Sequence, residues 1–231
     1  MKATRKRMAL FDIDGTLLDT HGFGRQAFVR GLARATGTFD ELNYLSFAGN
    51  TDRNVLEQVM AARRLRLAEE EIQRVFAFIA EELRDLLRGN PARAVAGAGP
   101  LLARLAADGF ALGLVTGNIR ACAYLKLASV GFDRYFGFGG FGDRHARREH
   151  IARAALAAAQ AAGVECAADA VCLVGDTPCD VAAGVALGLP VIGVATGKYD
   201  AAALRTAGAA LAVTDFADAD GLLEWLDAHL A

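Results

Sequence analysis

The sequence predicts a doubly wound α/β fold whose parallel sheet is interrupted by an all-helical insertion. Four short apolar runs have the composition of buried parallel strands, and they cover residues 8–11, 111–115, 171–174 and 191–194. Each run is followed by a polar or glycine-containing turn, and most then by a helical pattern. Strands that alternate with helices are typical of a doubly wound sheet. By contrast, residues 21–89 contain no convincing strand.

This region without strands contains three predicted helices, at residues 25–36, 52–64 and 68–88. The third has apolar residues at three- and four-residue spacing, and it begins with three glutamates that suit the helix dipole. Gly89, Asn90 and Pro91 then end it. We therefore expect a core domain formed by residues 1–19 and 93–231, and a helical cap domain formed by residues 20–92.

Composition excludes several classes of protein. The 231 residues are 54% hydrophobic and carry a formal net charge of −2, which allows a large core and argues against a nucleic-acid surface. No apolar run reaches the roughly 18 to 20 residues of a membrane span. The four cysteines lack metal-binding spacing, so we expect reduced thiols and a cytoplasmic location. Monomer and homodimer both stay open.

Two aspartates end the first predicted strand, in LFDIDGTLLDT at residues 10–20. Asp12 and Asp14 are two positions apart, so their carboxylates can converge at the edge of the sheet. They would repel one another there unless a hard cation such as Mg²⁺ lay between them. An aspartate that caps a turn before Gly15 would explain one of the two carboxylates but not both.

Two further strands end in groups that suit phosphate or metal. In LVTGN, residues 114–118, a hydroxyl precedes free backbone N–H groups at a helix start, which favours anion binding. In LVGDTPCD, residues 173–180, Asp176 and Asp180 lie one helical turn apart. Ordinary helix caps would explain either motif alone. The three strand ends together indicate a phosphate-and-magnesium site.

A cation is also expected at this site. Lys126, one of four lysines in the chain, lies in YLKLASVGF on the helix that follows LVTGN. Its ammonium group can reach toward a phosphate and Asp12, or it can be a surface lysine on an amphipathic helix. Arg147, in HARREH at residues 145–150, is the rival for the same position.

These motifs, DIDGT, LVTGN, a lysine and GDTPCD, resemble in that order the four motifs of the haloacid dehalogenase (HAD) superfamily. The helical insertion resembles the C1 cap of that superfamily, in its phosphoglycolate phosphatase and β-phosphoglucomutase branch. The resemblance covers essentially the whole chain and implies a Rossmann-like core. It also implies a Mg²⁺-dependent phosphatase that acts on a small phosphorylated metabolite through an aspartyl phosphate.

The resemblance implies a role for each matching residue. Asp12 would be the nucleophile, and Asp14 would protonate the leaving alcohol and then activate water. The phosphoryl group would be bound by a set of polar and backbone groups at Gly15, Thr16, Thr116, Gly117, Asn118 and Lys126. Mg²⁺ would be held by Asp12, the Asp14 carbonyl, Asp176 and Asp180. The motif III lysine often lies in a Lys-Pro pair before the last motif, and the corresponding stretch here has no lysine.

Other activities of the superfamily fit less well. Dehalogenases carry a different residue at the position of Asp14, and phosphonate-cleaving relatives need a cap lysine, which residues 20–92 lack. β-Phosphoglucomutases have a histidine where this chain has Gly24, although His21 lies nearby. A sugar phosphomutase is therefore the closest alternative, and a non-catalytic phosphometabolite-binding protein is a distant one.

Substrate choice is expected to depend on cap and hinge residues. The candidates share a polar side chain near the entry to the cap or the site, and they are His21, Arg25, Thr51, Arg53 and Arg147. Arg25 or Arg53 would bind a substrate carboxylate, as phosphoglycolate requires, or would form a surface salt bridge.

Overall fold

The core of the protein is a six-stranded parallel sheet with helices on both faces. A computed structural model describes residues 6–230; residues 1–5 and 231 of the predicted core domain lie outside the described residues. The strands follow the order β5-β4-β1-β6-β7-β8. They span β1 (Met8–Phe11), β4 (Ala111–Val115), β5 (Phe138–Gly140), β6 (Val171–Gly175), β7 (Val191–Val194) and β8 (Leu211–Val213). The predicted doubly wound α/β fold is confirmed.

The first strand occupies the middle of this sheet. Residues of β1 pair in parallel with β4 on one side and β6 on the other, with Phe11 opposite Leu114 and Val174. All four residues of β1 are buried. The carboxyl ends of β1, β4 and β6 therefore lie side by side, and the loops that follow them meet at one edge.

Helices cover both faces of the sheet and bury its apolar side chains. They span α4 (Ala98–Ala107), α5 (Arg120–Ser129), α6 (Arg148–Ala161), α7 (Pro178–Val185), α8 (Ala201–Thr206) and α9 (Ala219–His229). One apolar cluster surrounds Phe11 and Phe216, and another surrounds Leu10 and Ile151. Leu10 and Phe11 point to opposite faces because side chains alternate along a strand. Among the described residues, no helix combines the length and the apolar character needed to cross a bilayer.

Three helices form a separate layer, and in the sequence they lie between two very short strands. They span α1 (Phe23–Thr36), α2 (Asp52–Arg63) and α3 (Glu69–Leu87). The short strands β2 (Leu18–Asp19) and β3 (Arg93–Ala94) pair antiparallel, so the chain leaves and re-enters the core at adjacent points. The three helices predicted for this region match these spans to within two residues at each end.

The helical layer has its own apolar core and also rests on the sheet domain. Phe28, Leu56 and Leu83 belong to a cluster that includes Ile119 and Cys122 near the start of α5. Helices α1 and α3 approach closely at Gly31, where an added Cβ would lie 2.5 Å from the Ile79 backbone nitrogen. The cap and the core are therefore packed together.

Candidate active site

Polar side chains follow each of the three central strands. Asp12 follows β1, Thr116 follows β4 and Asp176 follows β6. The Asp12 backbone N–H donates to the Val174 carbonyl at 2.9 Å, so the parallel ladder continues to the aspartate itself. The sheet thereby holds the three side chains at a single edge.

Three buried carboxylates form an acidic cluster at this edge. Oxygen atoms of Asp12, Asp176 and Asp180 lie within 4.8 Å of one another, and each residue is at most 4% exposed. Burial, reinforced by the neighbouring carboxylates and opposed by Arg148, raises the pKa of Asp12 to about 7. Burial, reinforced by the Asp12 and Asp180 carboxylates and opposed by Arg148, raises the pKa of Asp176 to about 8. The positive charge that the protein itself places beside the three carboxylates therefore balances their negative charge only in part.

The donor set of this cluster fits a hard divalent cation. Carboxylate oxygens are the ligands that such ions prefer. One of them, Asp180 Oδ1, is buried and has no hydrogen-bond partner among the described residues. The other oxygen, Oδ2, accepts from the Thr177 hydroxyl at 2.6 Å and the Thr177 N–H at 3.1 Å, which fixes the carboxylate at the start of α7. Asp180 thus presents to the cluster one oxygen that accepts no hydrogen bond from the described residues, although Arg148 Nε lies 2.9 Å from it.

Glycines allow the loops of the site to approach the cluster closely. Gly15 has a φ of 77°, and a Cβ at this position would lie 2.3 Å from Asp176 Oδ2. The neighbouring Thr16 is buried, and its hydroxyl donates to Asp176 Oδ1 at 3.4 Å. The DIDGT turn and Asp176 therefore form one packed unit.

The loop after β4 carries the hydroxyl and amide groups of LVTGN. Thr116 is buried, and its Oγ1 accepts from the Asn118 side-chain amide at 2.8 Å and from the Asn118 N–H at 3.3 Å. Gly117 lies directly against the cap, since a Cβ there would be 2.0 Å from the Asn50 carbonyl oxygen. Thr116, Gly117 and Asn118 all line the same cavity as Asp12.

The cation beside Asp12 is Arg148, which the sequence analysis did not name. Its side chain is 7% exposed, and Nη2 lies 3.2 Å from Asp12 Oδ2. Nε lies 2.9 Å from Asp180 Oδ1, a contact without the direction of a hydrogen bond. Nη1 is buried, has no hydrogen-bond partner in residues 6–230, and lies 3.2 Å from the position of a Cβ on Gly117. An N–H donor without a partner in this range thus lies beside the LVTGN loop.

The two cations predicted for this position lie elsewhere. Arg147 is the residue before α6, its side chain is 69% exposed, and it pairs with Glu149 at 2.9 Å. Lys126 is buried on α5, but its Nζ contacts both Asp14 oxygens, at 2.8 and 2.7 Å. Among the described residues, the ion pair on Asp12 is formed by Arg148.

The predicted cap residues differ in their distance from the cavity. Arg25 lines it, and Nη2 donates to the Glu41 carbonyl and the Asn43 side chain at 2.8 Å each. His21 is half exposed, with φ at 54°, and lines an adjacent surface depression that Arg25 also borders. Of these two residues, Arg25 is the one placed to meet a bound molecule.

The other cap candidates hold the cap against the core. Thr51 is buried, accepts from the Asn54 N–H at 3.1 Å as the N-cap of α2, and donates to the Ala146 carbonyl at 3.2 Å. The Arg53 backbone N–H donates to the Gly142 carbonyl at 2.9 Å, while its side chain pairs with two surface glutamates. Neither residue lines the cavity that contains Asp12.

A further cap residue, Asp52, was missed by the sequence analysis. Its backbone N–H donates to the Gly117 carbonyl at 2.8 Å, and its Oδ2 accepts from the Ile119 N–H at 2.8 Å. Burial raises the pKa of Asp52 to about 6. Asp52 lies in the segment AGNTDRN at residues 48–54, and only the structure places its carboxylate at the start of the core helix α5.

The cap and the core enclose a cavity of about 300 Å³. Its core side is formed by the aspartates, Thr116 and Arg148, and its cap side by a second set of residues, which includes Phe47, Gly49, Asn50 and Asp52. This volume is at the lower end of the range for small-molecule sites. The site therefore suits a small ligand.

Comparison with known proteins agrees with this geometry. The family model described as haloacid dehalogenase-like hydrolase matches residues 9–194. The phosphoglycolate phosphatase of Rhodospirillum rubrum is 31% identical over 227 residues, which cover 95% of this chain and 90% of the relative. That of Mesorhizobium japonicum is 28% identical over 192 residues, 83% of each chain. A Clostridium difficile β-phosphoglucomutase structure shares the fold, with a TM-score of 0.72 and 16% identity over 96% of this chain and 98% of that one. The chain belongs to the haloacid dehalogenase-like hydrolase family.

Proposed function

We propose that this protein is a Mg²⁺-dependent phosphatase that hydrolyses a small phosphate monoester through an aspartyl-phosphate intermediate. The observation that carries the proposal is the position of Asp12. It is buried at the end of the central strand, beside two further carboxylates and 3.2 Å from Nη2 of Arg148, whose Nη1 has no hydrogen-bond partner among the described residues. Family membership and the two phosphoglycolate phosphatases among the relatives support the same activity.

The residues around Asp12 would bind the phosphoryl group. Arg148 Nη1, the Thr116 hydroxyl and the backbone N–H groups of the DIDGT and LVTGN turns are the available donors. A positively charged donor beside the attacking carboxylate offsets the repulsion between two anions. We therefore assign to Arg148 the phosphate-binding role that the sequence analysis gave to Lys126 or Arg147.

Asp12 and Asp14 would divide the chemistry between them. An Asp12 oxygen attacks phosphorus, the bond to the leaving oxygen breaks, and Asp14 gives that oxygen a proton. Asp14 then takes a proton from water as the water attacks the aspartyl phosphate, which releases inorganic phosphate and restores Asp12. The net reaction is hydrolysis of one P–O bond.

Mg²⁺ would be held by Asp12, Asp176, Asp180 and the main-chain carbonyl of Asp14. When bound, the ion neutralises part of the negative charge shared by the carboxylates and the phosphoryl group. The lack of a hydrogen bond to Asp180 Oδ1 among the described residues and the raised pKa values of Asp12 and Asp176 support a cation at this point.

For the substrate, we propose a phosphoglycolate-like molecule or a sugar phosphate that acts in the cytoplasm. The relatives named above support the first option, and Arg25 at the cavity wall offers a cation for a carboxylate. A cavity of about 300 Å³ favours a small molecule over a protein or a nucleic acid as the substrate. The chain would act as a monomer or a homodimer.

The test is release of phosphate from p-nitrophenyl phosphate. We expect turnover with Mg²⁺, none with EDTA, and none for Asp12→Asn. Asp85→Asn, an exposed aspartate on the cap, is the matched control and keeps full activity. Turnover by Asp12→Asn equal to that of the wild type would refute the aspartyl-phosphate route. A panel of metabolites that begins with phosphoglycolate follows.

A sugar phosphomutase is the second candidate, since the β-phosphoglucomutase of Clostridium difficile shares the fold. Gly24 disfavours it, because no side chain is available at the position where these mutases carry histidine. Incubation with β-glucose 1-phosphate separates the two functions. A mutase yields glucose 6-phosphate, a phosphatase yields glucose and phosphate, and a binding protein yields neither.

A further inference from the structure

The ammonium group of Lys126 donates its hydrogen bonds to two neighbours in the cavity wall. It is 4% exposed, and Nζ lies 2.8 and 2.7 Å from the two oxygens of Asp14 and 2.6 Å from Asn118 Oδ1. An ammonium group has three N–H donors. All three are therefore used, and none is left for a phosphoryl oxygen.

Asn118 completes the arrangement around Asp14. Its Nδ2 donates to Asp14 Oδ2 at 2.6 Å and to Thr116 Oγ1 at 2.8 Å, while its Oδ1 accepts from Lys126. Both oxygens of Asp14 are thus held, although its side chain is 41% exposed. Lys126 and Asp14 therefore form a close ion pair, and Asn118 contacts both of them.

The cap leaves room for this lysine. Gly24 on α1 faces its ammonium group, and a Cβ on Gly24 would lie 3.1 Å from Nζ. A larger side chain at position 24 would displace Nζ from Asp14. The lysine comes from the core helix α5, so Asp14 is held by two core residues, Lys126 and Asn118.

We propose that Lys126 is a positioning residue that acts through Asp14. It fixes the carboxylate that transfers a proton to the leaving oxygen, and it makes no contact with the phosphoryl group. The proposal rests on the phosphatase function proposed above. The two cations of the site then have different roles, since Arg148 acts on the phosphoryl group and Lys126 acts on the proton donor, Asp14.

The experiment compares two substrates that differ in their need for a proton. The leaving group of an alkyl phosphate is a strongly basic alkoxide that needs a proton, whereas the leaving group of p-nitrophenyl phosphate, p-nitrophenolate, departs without protonation. The measured quantity is kcat/KM, because it reports on phosphoryl transfer to Asp12 and not on later hydrolysis of the intermediate. General acid catalysis contributes about 100-fold or more to such a step, so Lys126→Met should lower kcat/KM for the alkyl phosphate by about that factor.

The same variant should lower kcat/KM for p-nitrophenyl phosphate much less, by under about tenfold, since little of the general-acid contribution applies to this leaving group. Arg148→Met should lower both values together. Lys6→Met, an exposed lysine far from the cavity, should change neither. Lys126→Gln keeps one N–H donor toward Asp14, so its loss of kcat/KM should be smaller and should again fall mainly on the alkyl phosphate. This variant takes the place of Lys126→Met if methionine destabilises the fold.

Equal losses on the two substrates in the Lys126 variants would overturn the proposal, because Lys126 would then act on the phosphoryl group or on the fold. No loss on either substrate would overturn it as well. If the wild type with Mg²⁺ hydrolyses neither substrate, the phosphatase function itself fails and the role of Lys126 fails with it. The wild-type control therefore distinguishes the two failures.

Discussion

Arg148 and Arg147 are adjacent in sequence, and the structure predicts opposite consequences for their loss. Arg148 is 7% exposed and contacts Asp12 and Asp180, whereas Arg147 is 69% exposed and pairs with Glu149. We predict that Arg148→Met abolishes most of the activity and destabilises the metal-free protein. Arg147→Met, the matched control, should behave like the wild type.

The magnitudes follow from burial and from the number of contacts. Loss of one preorganised donor to a reacting oxyanion costs about 10² to 10³ in kcat. Loss of one partner from a buried ion pair costs about 3 to 5 kcal/mol, because the carboxylates stay buried without it. For a chain of this size, where 1 kcal/mol corresponds to about 2 to 4 °C, the melting temperature should fall by about 6 to 20 °C. An exposed substitution such as Arg147→Met stays within about 0.5 kcal/mol.

Two assays check these values. Steady-state kinetics on p-nitrophenyl phosphate gives the change in kcat, and thermal unfolding in EDTA and in Mg²⁺ gives the change in stability. Mg²⁺ should raise the melting temperature of Arg148→Met more than that of the wild type, because the ion replaces part of the lost positive charge. The reasoning is refuted if Arg147→Met loses activity while Arg148→Met retains it.

Three further predictions concern the cap and the helix that presents Asp180. Gly31→Ala places a Cβ 2.5 Å from the Ile79 nitrogen and should lower stability by about 1 to 3 kcal/mol in thermal unfolding, whereas Gly137→Ala, in open space, should not. Thr177→Ala removes the side-chain N-cap of α7 and should lower the free energy of unfolding, measured by chemical denaturation, by about 1 kcal/mol. The loss of Mg²⁺ affinity should be larger, because Thr177 no longer holds Asp180 in place. Unchanged stability would count against the N-cap interaction. The Arg63 hydrogen bond holds the pKa of Asp40 below its usual 3.8, so this contact stabilises the protein above that pH and is lost as the pH falls through the lowered pKa. Melting temperatures of wild type and Asp40→Asn should therefore differ at neutral pH and converge in acid, and a constant difference would contradict this assignment.

The parts of the fold that the sequence predicted are those with strong local patterns. Strand β1 and the cap helices have a continuous apolar run or a clear helical period, and both are where we expected them. Strand β5 has the sequence Phe-Gly-Gly, which lacks a strand composition, and it is fixed by tertiary contacts, namely its pairing with β4 and its packing against α6. The β2–β3 ribbon is two residues long on each side, too short for any period.

Some residues of the candidate site could likewise be predicted from the sequence, and others could not. Asp12, Asp14 and Asp176 could be predicted because they follow strands, whose ends meet in a parallel sheet. The cation could not, because the exact start of α6 decides which arginine turns inward. Arg147 is the extended residue before the helix and is exposed, whereas Arg148 is its first helical residue and is buried. Asp52 was missed for a related reason, since its role depends on how the cap docks against α5.

The charges beside Asp12 fit a site that takes a divalent cation next to two protein cations. Four carboxylates lie in or beside the acidic cluster, those of Asp12, Asp14, Asp176 and Asp180, and Arg148 and Lys126 pair with them. The protein alone disfavours the ionised forms of Asp12 and Asp176, whose pKa values are raised to about 7 and about 8. Once all four carboxylates are ionised, these six groups carry an excess of two negative charges, which a divalent cation would balance. Because all three N–H groups of Lys126 contact Asp14 and Asn118, we assign the contact with the phosphoryl group to Arg148, which lies beside Asp12 and whose Nη1 has no hydrogen-bond partner among the described residues.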